Sequence, residues 1–309
     1  MRVRGTAIRF GNAAGTAKTP EEIRTILSTS ANEARFGSVT KEPRTGNLGD
    51  VYYFNQETGT SYNSIGLSNR GVKYAEEVIP ELLKETFGDA GKYLIVSVAG
   101  FTVEETVELA DRAASLGVSE VEINLGCPNV WSEEGKQKPI PSYHPELFEE
   151  TLMRVRARLG AYPIAAKISP VSNDLLRKLI PIMVKVGHPY EKGPLRIIGC
   201  NTLPNRKGVR EDNSDALRFR VSEESEWQNL GGEAGAPLRP HAHRVTKLLL
   251  DELPETIDIV VHGGILKPKD AKELLELGAD GFGAATGFLE FGPRFFDDLA
   301  INLPEEYFL

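Results

Sequence analysis

The chain has 309 residues, 40% of them hydrophobic, which is enough to bury one large core or two smaller ones. Its net charge of -8 and pI near 5.4 argue against non-specific nucleic-acid binding, which needs a basic surface. Its two cysteines are too few for a disulfide framework, and no apolar segment approaches the roughly 20 residues of a membrane helix. Because the first residues also lack the apolar run of a signal peptide, we expect a cytoplasmic protein.

Short apolar segments rich in β-branched residues alternate with helical patterns along the chain. The first helical pattern, at 19–34, begins with Thr19 as N-cap and Pro20 at the first helical position. The predicted strands are 2–10, 35–41, 93–100, 120–126, 163–169, 196–202, 258–264 and 281–286. The other predicted helices are 71–87, 103–116, 145–160, 172–187, 241–253 and 268–277, two of which end at a glycine suited to a C-cap, Gly117 and Gly278.

This alternation is typical of parallel βαβ units. Eight strands, with a helix after nearly every one, predict a single (β/α)8 TIM barrel over residues 1–309. A doubly wound open sheet is the alternative. The barrel is favoured because functional-looking residues follow many strands, whereas an open sheet concentrates them at one switch point. Three long loops, 42–70, 127–143 and 203–240, are expected to serve the active site.

Small residues follow the last two predicted strands. Gly263 and Gly264 end the seventh strand, and Ala285 and Thr286 end the eighth. Barrels often bind phosphate through backbone N–H groups at these two places. Either pair alone is more often an ordinary turn, but both together favour a phosphate-bearing ligand.

Reactive and polar side chains occupy other strand ends. Lys167 lies within an apolar strand, where an unpaired lysine is costly, so it meets either a ligand or a structural carboxylate. Cys127 begins a loop, where a thiol can act as nucleophile or general base; the alternative is a small buried hydrophobe. Cys200 lies inside a strand and is assigned to the core. Four asparagines could hydrogen-bond a heterocycle or a carboxylate, although one asparagine alone is more often a turn residue: Asn63, Asn124, Asn129 and Asn201.

The motifs at these strand ends resemble those of the dihydroorotate dehydrogenases, FMN-dependent (β/α)8 enzymes of pyrimidine synthesis. In chain order they read GNAAGT, SVTKEPRTGN, NSIGL, EINLGCPN, AAKISP, CNTL, GGEAGAPLRP, VHGGI and GADGFGAATGFL. The resemblance covers nearly the whole chain. NLGCPN is the most specific motif, since class 1 members have cysteine at that place and class 2 members have serine.

The resemblance implies oxidation of dihydroorotate to orotate. It implies that Cys127 is the general base for the C5 proton, that the C6 hydride passes to N5 of FMN, and that Lys41 and Lys167 are also catalytic. The implied substrate-binding residues are Asn63, Gly66, Leu67, Asn124, Asn129, Asn201 and Thr202. The implied FMN-binding residues are Ala14, Gly15, Lys41, Asn124, Lys167, Gly231, Gly232, Gly263, Gly264, Ala285 and Thr286. Segment 130–143 is the implied lid over the substrate.

The sequence departs from the family at the lysine near the end of strand two. An alignment with a gap places Lys41 there, which is the assignment we adopt, whereas an ungapped alignment places Gly37 there. Glycine at this position would put the substrate in doubt. Ser68 also stands where proline is common, Ala285 stands where glycine is usual, and the lid is longer than usual.

The lid sequence is similar to that of class 1A, whose members are homodimers that use fumarate as electron acceptor. Class 1B, which needs a flavin and iron–sulfur partner subunit, is the alternative; this chain has no cysteine cluster for such a centre. Three other functions stay open. They are a related FMN barrel acting on another pyrimidine, a flavin-free phosphate-binding barrel that uses Lys167 or Cys127 covalently, and a barrel without turnover. No metal, membrane or nucleic-acid partner is expected.

Overall fold

A computed structural model describes residues 8–86, 91–130, 138–187 and 194–308 of the chain. The described strands are β1 (Arg9–Asn12), β2 (Glu33–Val39), β3 (Leu48–Asp50), β4 (Tyr52–Asn55), β5 (Thr60–Asn63), β6 (Tyr93–Val98), β7 (Glu120–Asn124), β8 (Ile164–Ile168), β9 (Leu195–Gly199), β10 (Leu203–Lys207), β11 (Arg218–Arg220), β12 (Leu230–Gly235), β13 (Asp258–His262) and β14 (Gly281–Ala284). The described α-helices are α1 (Pro20–Leu27), α2 (Gly71–Thr86), α3 (Val103–Ser115), α4 (Pro145–Leu159), α5 (Asn173–Val186), α6 (Arg239–Glu252), α7 (Pro268–Leu277), α8 (Thr286–Phe291) and α9 (Phe295–Asn302).

Eight parallel strands close into a barrel in the order β1-β14-β13-β9-β8-β7-β6-β2. They correspond to the eight strands predicted from the sequence, although residues 2–7 of the first predicted strand lie outside the described part. Each is followed along the chain by at least one helix, so the (β/α)8 prediction is confirmed. The capping residues predicted at two helix ends are also confirmed. Thr19 caps α1 in a capping box with Glu22, and Gly278 ends α7 with a left-handed φ of 109°. None of the helices in the described part of the chain has the length and apolar character needed to span a bilayer.

The lower interior of the barrel is charged. Arg35 is fully buried and donates to Glu122 at 3.1 Å and to Glu33 at 2.5 Å. Arg196 adds a 2.6 Å bond to Glu33. Burial alone would raise the pKa of Glu33, but these arginines hold it well below its usual range. The apolar core lies instead between the strands and the surrounding helices. The ion pairs fill the barrel interior below its mouth.

The two long loops predicted at 42–70 and 203–240 are not irregular. They fold onto each other as an antiparallel sheet in the order β10-β12-β5-β4 and as a smaller pair, β11 with β3. In the larger sheet Gly232 of β12 lies opposite Asn63 of β5. This pairing places residues far apart in sequence side by side over the barrel mouth. Of the third predicted loop, 127–143, residues 131–137 lie outside the described part, and these are half of the predicted lid, 130–143.

Candidate active site

A cavity of about 1100 Å³, counting the space at its mouth, opens at the carboxyl ends of the barrel strands. Its wall is mostly apolar, with polar groups from several strand ends, as expected of a ligand site. The residues predicted from the sequence that line it are Ala14, Gly15, Asn63, Gly66, Leu67, Asn124, Cys127, Asn129, Lys167, Asn201, Thr202, Gly263, Gly264, Ala285 and Thr286. The structure therefore brings most of the predicted site into one space.

The four asparagines form two linked pairs in this cavity. Asn129 donates through Nδ2 to Asn63 Oδ1 at 2.7 Å, which joins the loop after β7 to β5. Asn201 donates to Asn124 Oδ1 at 3.4 Å, and Asn124 donates to the hydroxyl of Ser38 at 2.9 Å. These bonds fix the orientation of the amides. An amide wall held in this way suits a planar ligand that has both donors and acceptors.

Cys127 follows β7, is a half-buried free cysteine and lines the cavity. Burial raises the pKa of this thiol. Three groups act in the opposite direction: the backbone N–H of Asn129 and the positive charges of Lys167 and Arg44. The thiolate is therefore costly to form in the open site, and nearby cations are the groups that stabilise it.

Lys167 is the last polar residue of β8 and is 5% exposed. Burial lowers its pKa, Glu122 opposes that shift, and Arg35 adds to it. Among the described residues no carboxylate forms a salt bridge with its ammonium group. The structural ion pair weighed from the sequence is therefore not what holds Lys167, and its Nζ is available to a ligand.

The opposite side of the cavity is built from backbone. Gly263 and Gly264 have φ angles of 133° and 79°, which a residue with a Cβ adopts only with strain. A Cβ on Gly264 would lie 2.8 Å from the Cα of Arg239. Arg239 donates to the Gly264 carbonyl at 3.2 Å, and Thr286 hydrogen-bonds the Ser61 hydroxyl at 2.8 Å. The result is a fixed turn whose backbone can approach an anion closely.

The structure corrects the assignment of Lys41. Its Nζ lies 2.6 Å from Glu108 of α3, on the outside of the barrel, and its side chain is 44% exposed. It does not line the cavity. Gly37 does not line it either: its φ is 94°, and a Cβ there would lie 2.8 Å from the carbonyl oxygen of Ser97. Neither alignment of strand two therefore supplies a cation, and Ser38 is the residue of β2 that reaches the ligand space.

The predicted roles of Gly231 and Gly232 also need correction, because neither residue lines the cavity. A Cβ on Gly232 would lie 2.1 Å from the Thr202 hydroxyl, and one on Gly231 would lie 2.5 Å from the Asn63 carbonyl oxygen. These glycines let β12 pack closely against residues that do line the cavity. Within the same GGEAG motif it is Gly235 that reaches the ligand space.

Besides Ser38 and Gly235, the cavity lining includes ionisable side chains that were not assigned to the site from the sequence, among them Lys18, Cys200 and His262. Lys18 lies in the turn after β1 and lines the cavity, and burial lowers its pKa while Glu22 opposes the shift. Its position three residues after Gly15, in the segment that follows the first strand, is the sequence signal that could have assigned it to the site. His262 stands in the VHGGI motif at the end of the seventh predicted strand, but no role was assigned to it from the sequence. Cys200, assigned to the core, is indeed buried, and burial raises its pKa to about 12, but it also borders the cavity.

Comparison with known proteins identifies the family. A family model described as dihydroorotate dehydrogenase matches residues 7–306. The catalytic subunit of dihydroorotate dehydrogenase B (NAD(+)) from Endomicrobium trichonymphae is 30% identical over 244 residues, covering 78% of this chain and 69% of that protein. A putative dihydroorotate dehydrogenase A (fumarate) from Streptococcus equi subsp. equi is 26% identical over 296 residues, covering 95% and 88%.

The fold comparison agrees. The structure of a dihydroorotate dehydrogenase from Eimeria tenella, in complex with ferulenol, superposes with a TM-score of 0.76 at 17% identity, covering 95% of this chain and 80% of that one. At this identity the likeness concerns the fold alone. The match of the family model across the barrel, together with the two relatives, shows that this chain belongs to the dihydroorotate dehydrogenase family, the oxidoreductases that convert dihydroorotate to orotate.

Proposed function

We propose that this chain binds FMN in the barrel-mouth cavity and oxidises dihydroorotate there, with Cys127 as general base. One observation carries the proposal: a thiol, a buried lysine and a wall of oriented amides line the same cavity as a glycine turn suited to phosphate. Family membership supports the same reaction. The amide wall suits a ring, and the glycine turn suits the phosphate anion. The two sides of the cavity therefore match the substrate ring and the phosphate of FMN.

The residues present fit a bound FMN. Two residues of the cavity lining have buried polar atoms with no hydrogen-bond partner among the described residues: His262, through its ring nitrogens, and half-buried Thr202, through its hydroxyl. Buried polar atoms of this kind call for a ligand or water that satisfies them. Gly264 and Thr286 offer backbone N–H groups to a phosphate. When bound, FMN supplies the acceptor for the hydride that leaves C6 of dihydroorotate.

Cys127 would remove the proton at C5 of the substrate. The active form is the thiolate. The fraction of Cys127 in that form rises as the pH approaches the raised pKa of the thiol. Lys167 has two effects in this arrangement. Its charge stabilises the thiolate, and it places a cation where an electron-accepting ligand gains negative charge.

The asparagine pairs would hold the substrate ring. Asn63 and Asn129 bind each other across the cavity at 2.7 Å, so a ring placed against them meets donors and acceptors of fixed direction. Asn124 and Asn201 do the same on the barrel side. Together with the backbone of Gly66 they would restrict the orientation of the ring in the cavity that Cys127 also lines.

The first test is the visible spectrum of the purified protein, followed by addition of dihydroorotate without oxygen. We expect a yellow protein whose flavin absorbance bleaches. Dihydrouracil, which lacks the carboxylate, is the matched comparison and should bleach it far more slowly. A yellow protein that bleaches with dihydrouracil but not with dihydroorotate would favour the alternative, a related FMN barrel acting on another pyrimidine. The position of Lys41 outside the cavity makes this comparison necessary.

We further propose fumarate as the electron acceptor, supported by the relatives named for fumarate that align over 95% of this chain. The reduced protein should then be reoxidised faster by fumarate than by NAD+. A homodimer and a cytoplasmic location stay predictions. Sedimentation analysis tests the first, because a dimer has twice the monomer mass of 33.9 kDa.

A further inference from the structure

Two amides of the cavity wall belong to a hydrogen-bond chain that continues into the barrel interior. Asn201 donates to Asn124 Oδ1 at 3.4 Å, and Asn124 donates to the Ser38 hydroxyl at 2.9 Å. The Ser38 hydroxyl lies 2.9 Å from that of Ser97, which donates to Glu122 Oε1 at 3.0 Å. Ser97 and Glu122 are fully buried and do not line the cavity. The chain therefore connects the ligand space to a carboxylate that no ligand touches.

The register of the barrel strands sets this path. Ser97 of β6 lies directly opposite Glu122 of β7. Alternate residues of a strand point to the same side, so Glu122 and Asn124 both face the barrel interior. Ser38 comes from β2, which neighbours β6 on its other side. Three adjacent strands thus contribute to the chain, and each contact joins residues that are far apart in sequence.

The carboxylate at the lower end fixes the direction of these bonds. Glu122 is paired with Arg35 at 3.1 Å, and a carboxylate can only accept hydrogen bonds. Ser97 therefore uses its one hydroxyl hydrogen on Glu122, and it accepts from Ser38. Because the hydrogen of Ser38 is then used on Ser97, Ser38 can only accept from Asn124. The nitrogen of the Asn124 amide must face the serines.

The upper end requires the same direction independently. The backbone N–H of Thr202, which can only donate, bonds Asn201 Oδ1 at 2.8 Å, so Asn201 turns its Nδ2 towards Asn124. The Asn124 oxygen also accepts from the backbone N–H of Gly126 at 3.3 Å, so both of its lone pairs are used. Within the described part of the chain, the second Nδ2 hydrogen is the polar group of the Asn124 side chain that has no partner.

We propose that Ser97 and Glu122 are positioning residues that hold the Asn124 amide so that it offers the bound ligand an N–H donor and no acceptor. The inference rests on the proposed function, because it concerns the substrate that Asn124 would bind. The ligand group recognised here is a hydrogen-bond acceptor, such as a carbonyl oxygen. A reversed amide would set its own oxygen against that acceptor and leave both without a hydrogen.

The test is titration of the oxidised FMN holoprotein with orotate, followed by the change in flavin absorbance. Ser97→Ala removes the hydroxyl that joins Ser38 to Glu122. We expect its dissociation constant for orotate to rise about fivefold, because the Asn124 amide is no longer held in one direction. Ser97→Thr keeps a hydroxyl and should bind orotate within about twofold of wild type, even where its added methyl group lowers the melting temperature.

Ser119→Ala is the matched control. The Ser119 hydroxyl accepts from the backbone N–H of Leu94 at 3.2 Å, directly before β7 and at the opposite end of the barrel from the cavity. Its loss should lower the melting temperature and leave the orotate affinity within about twofold of wild type.

A double variant separates positioning from a general structural effect. If Ser97 acts through Ser38, Ser97→Ala should have no further effect on orotate affinity once Ser38→Ala has broken the chain. A merely structural residue would weaken binding by the same factor in both backgrounds, and that result would overturn the inference. Unchanged orotate affinity in Ser97→Ala, or an equal weakening in Ser97→Thr, would overturn it too. A wild-type holoprotein that holds FMN but does not bind orotate refutes the proposed substrate, which is a different result.

Discussion

Replacement of Cys127 tests the chemistry most directly. A free cysteine has a pKa of about 8.5, so about 3% is thiolate at pH 7. Burial raises the pKa of Cys127, so its thiolate fraction in the open site is smaller still. The rate of flavin reduction by dihydroorotate should therefore rise about tenfold per pH unit between pH 6 and 8, in proportion to thiolate. Cys127→Ala should lower this rate by a factor of about 10² to 10⁴, the usual contribution of a general base, and should flatten its pH dependence.

The assay is anaerobic stopped-flow bleaching of the flavin, which isolates this half-reaction from the electron acceptor. Cys127→Ser should retain a small activity that is greatest at high pH, because an alcohol is a poorer base. Cys200→Ala is the matched control. It removes the other thiol that borders the cavity, whose pKa burial raises to about 12, and it should keep the wild-type pH profile. The reasoning is refuted if Cys127→Ala bleaches as fast as wild type, or if Cys200→Ala is the variant that loses the pH dependence.

Three further predictions concern the charges around the site. Lys167→Met should lower the flavin midpoint potential, measured by dye equilibration, by at least about 30 mV, the equivalent of about 1.4 kcal/mol for two electrons; an unchanged potential contradicts the role of its charge. Lys18→Ala should weaken FMN binding about tenfold in a fluorescence titration, as expected for loss of a charged hydrogen bond, whereas Lys41→Ala should change it less than twofold; the reverse order would restore the assignment made from the sequence. Glu122→Gln leaves Arg35 short of a buried counter-charge and should cost about 3–5 kcal/mol in denaturant unfolding, while a cost under about 1 kcal/mol would show that Glu33 suffices.

The sequence by itself determined the barrel and much of the cavity. Alternation of strand and helix is a local signal, and closure of eight such units carries the end of every strand to one face. Cys127, Lys167 and Gly264 could be assigned from the sequence for this reason. Each lies at or just after the end of a barrel strand, so its place in the chain also fixes its place in space.

The tertiary structure decided what depends on contacts between distant segments. Lys41 lies two residues beyond β2, and its direction is set by Glu108 on α3, which no local pattern reveals. The segments predicted as loops at 42–70 and 203–240 form a sheet because each completes the other's backbone hydrogen bonds. In that sheet Gly232 packs against Thr202 and does not line the cavity, where the sequence had placed it. The surroundings of His262 likewise depend on neighbours across the barrel. Its ring fits in the space above Gly283 and lies near Arg35, Lys167 and Arg196, an arrangement that arises only when the barrel closes.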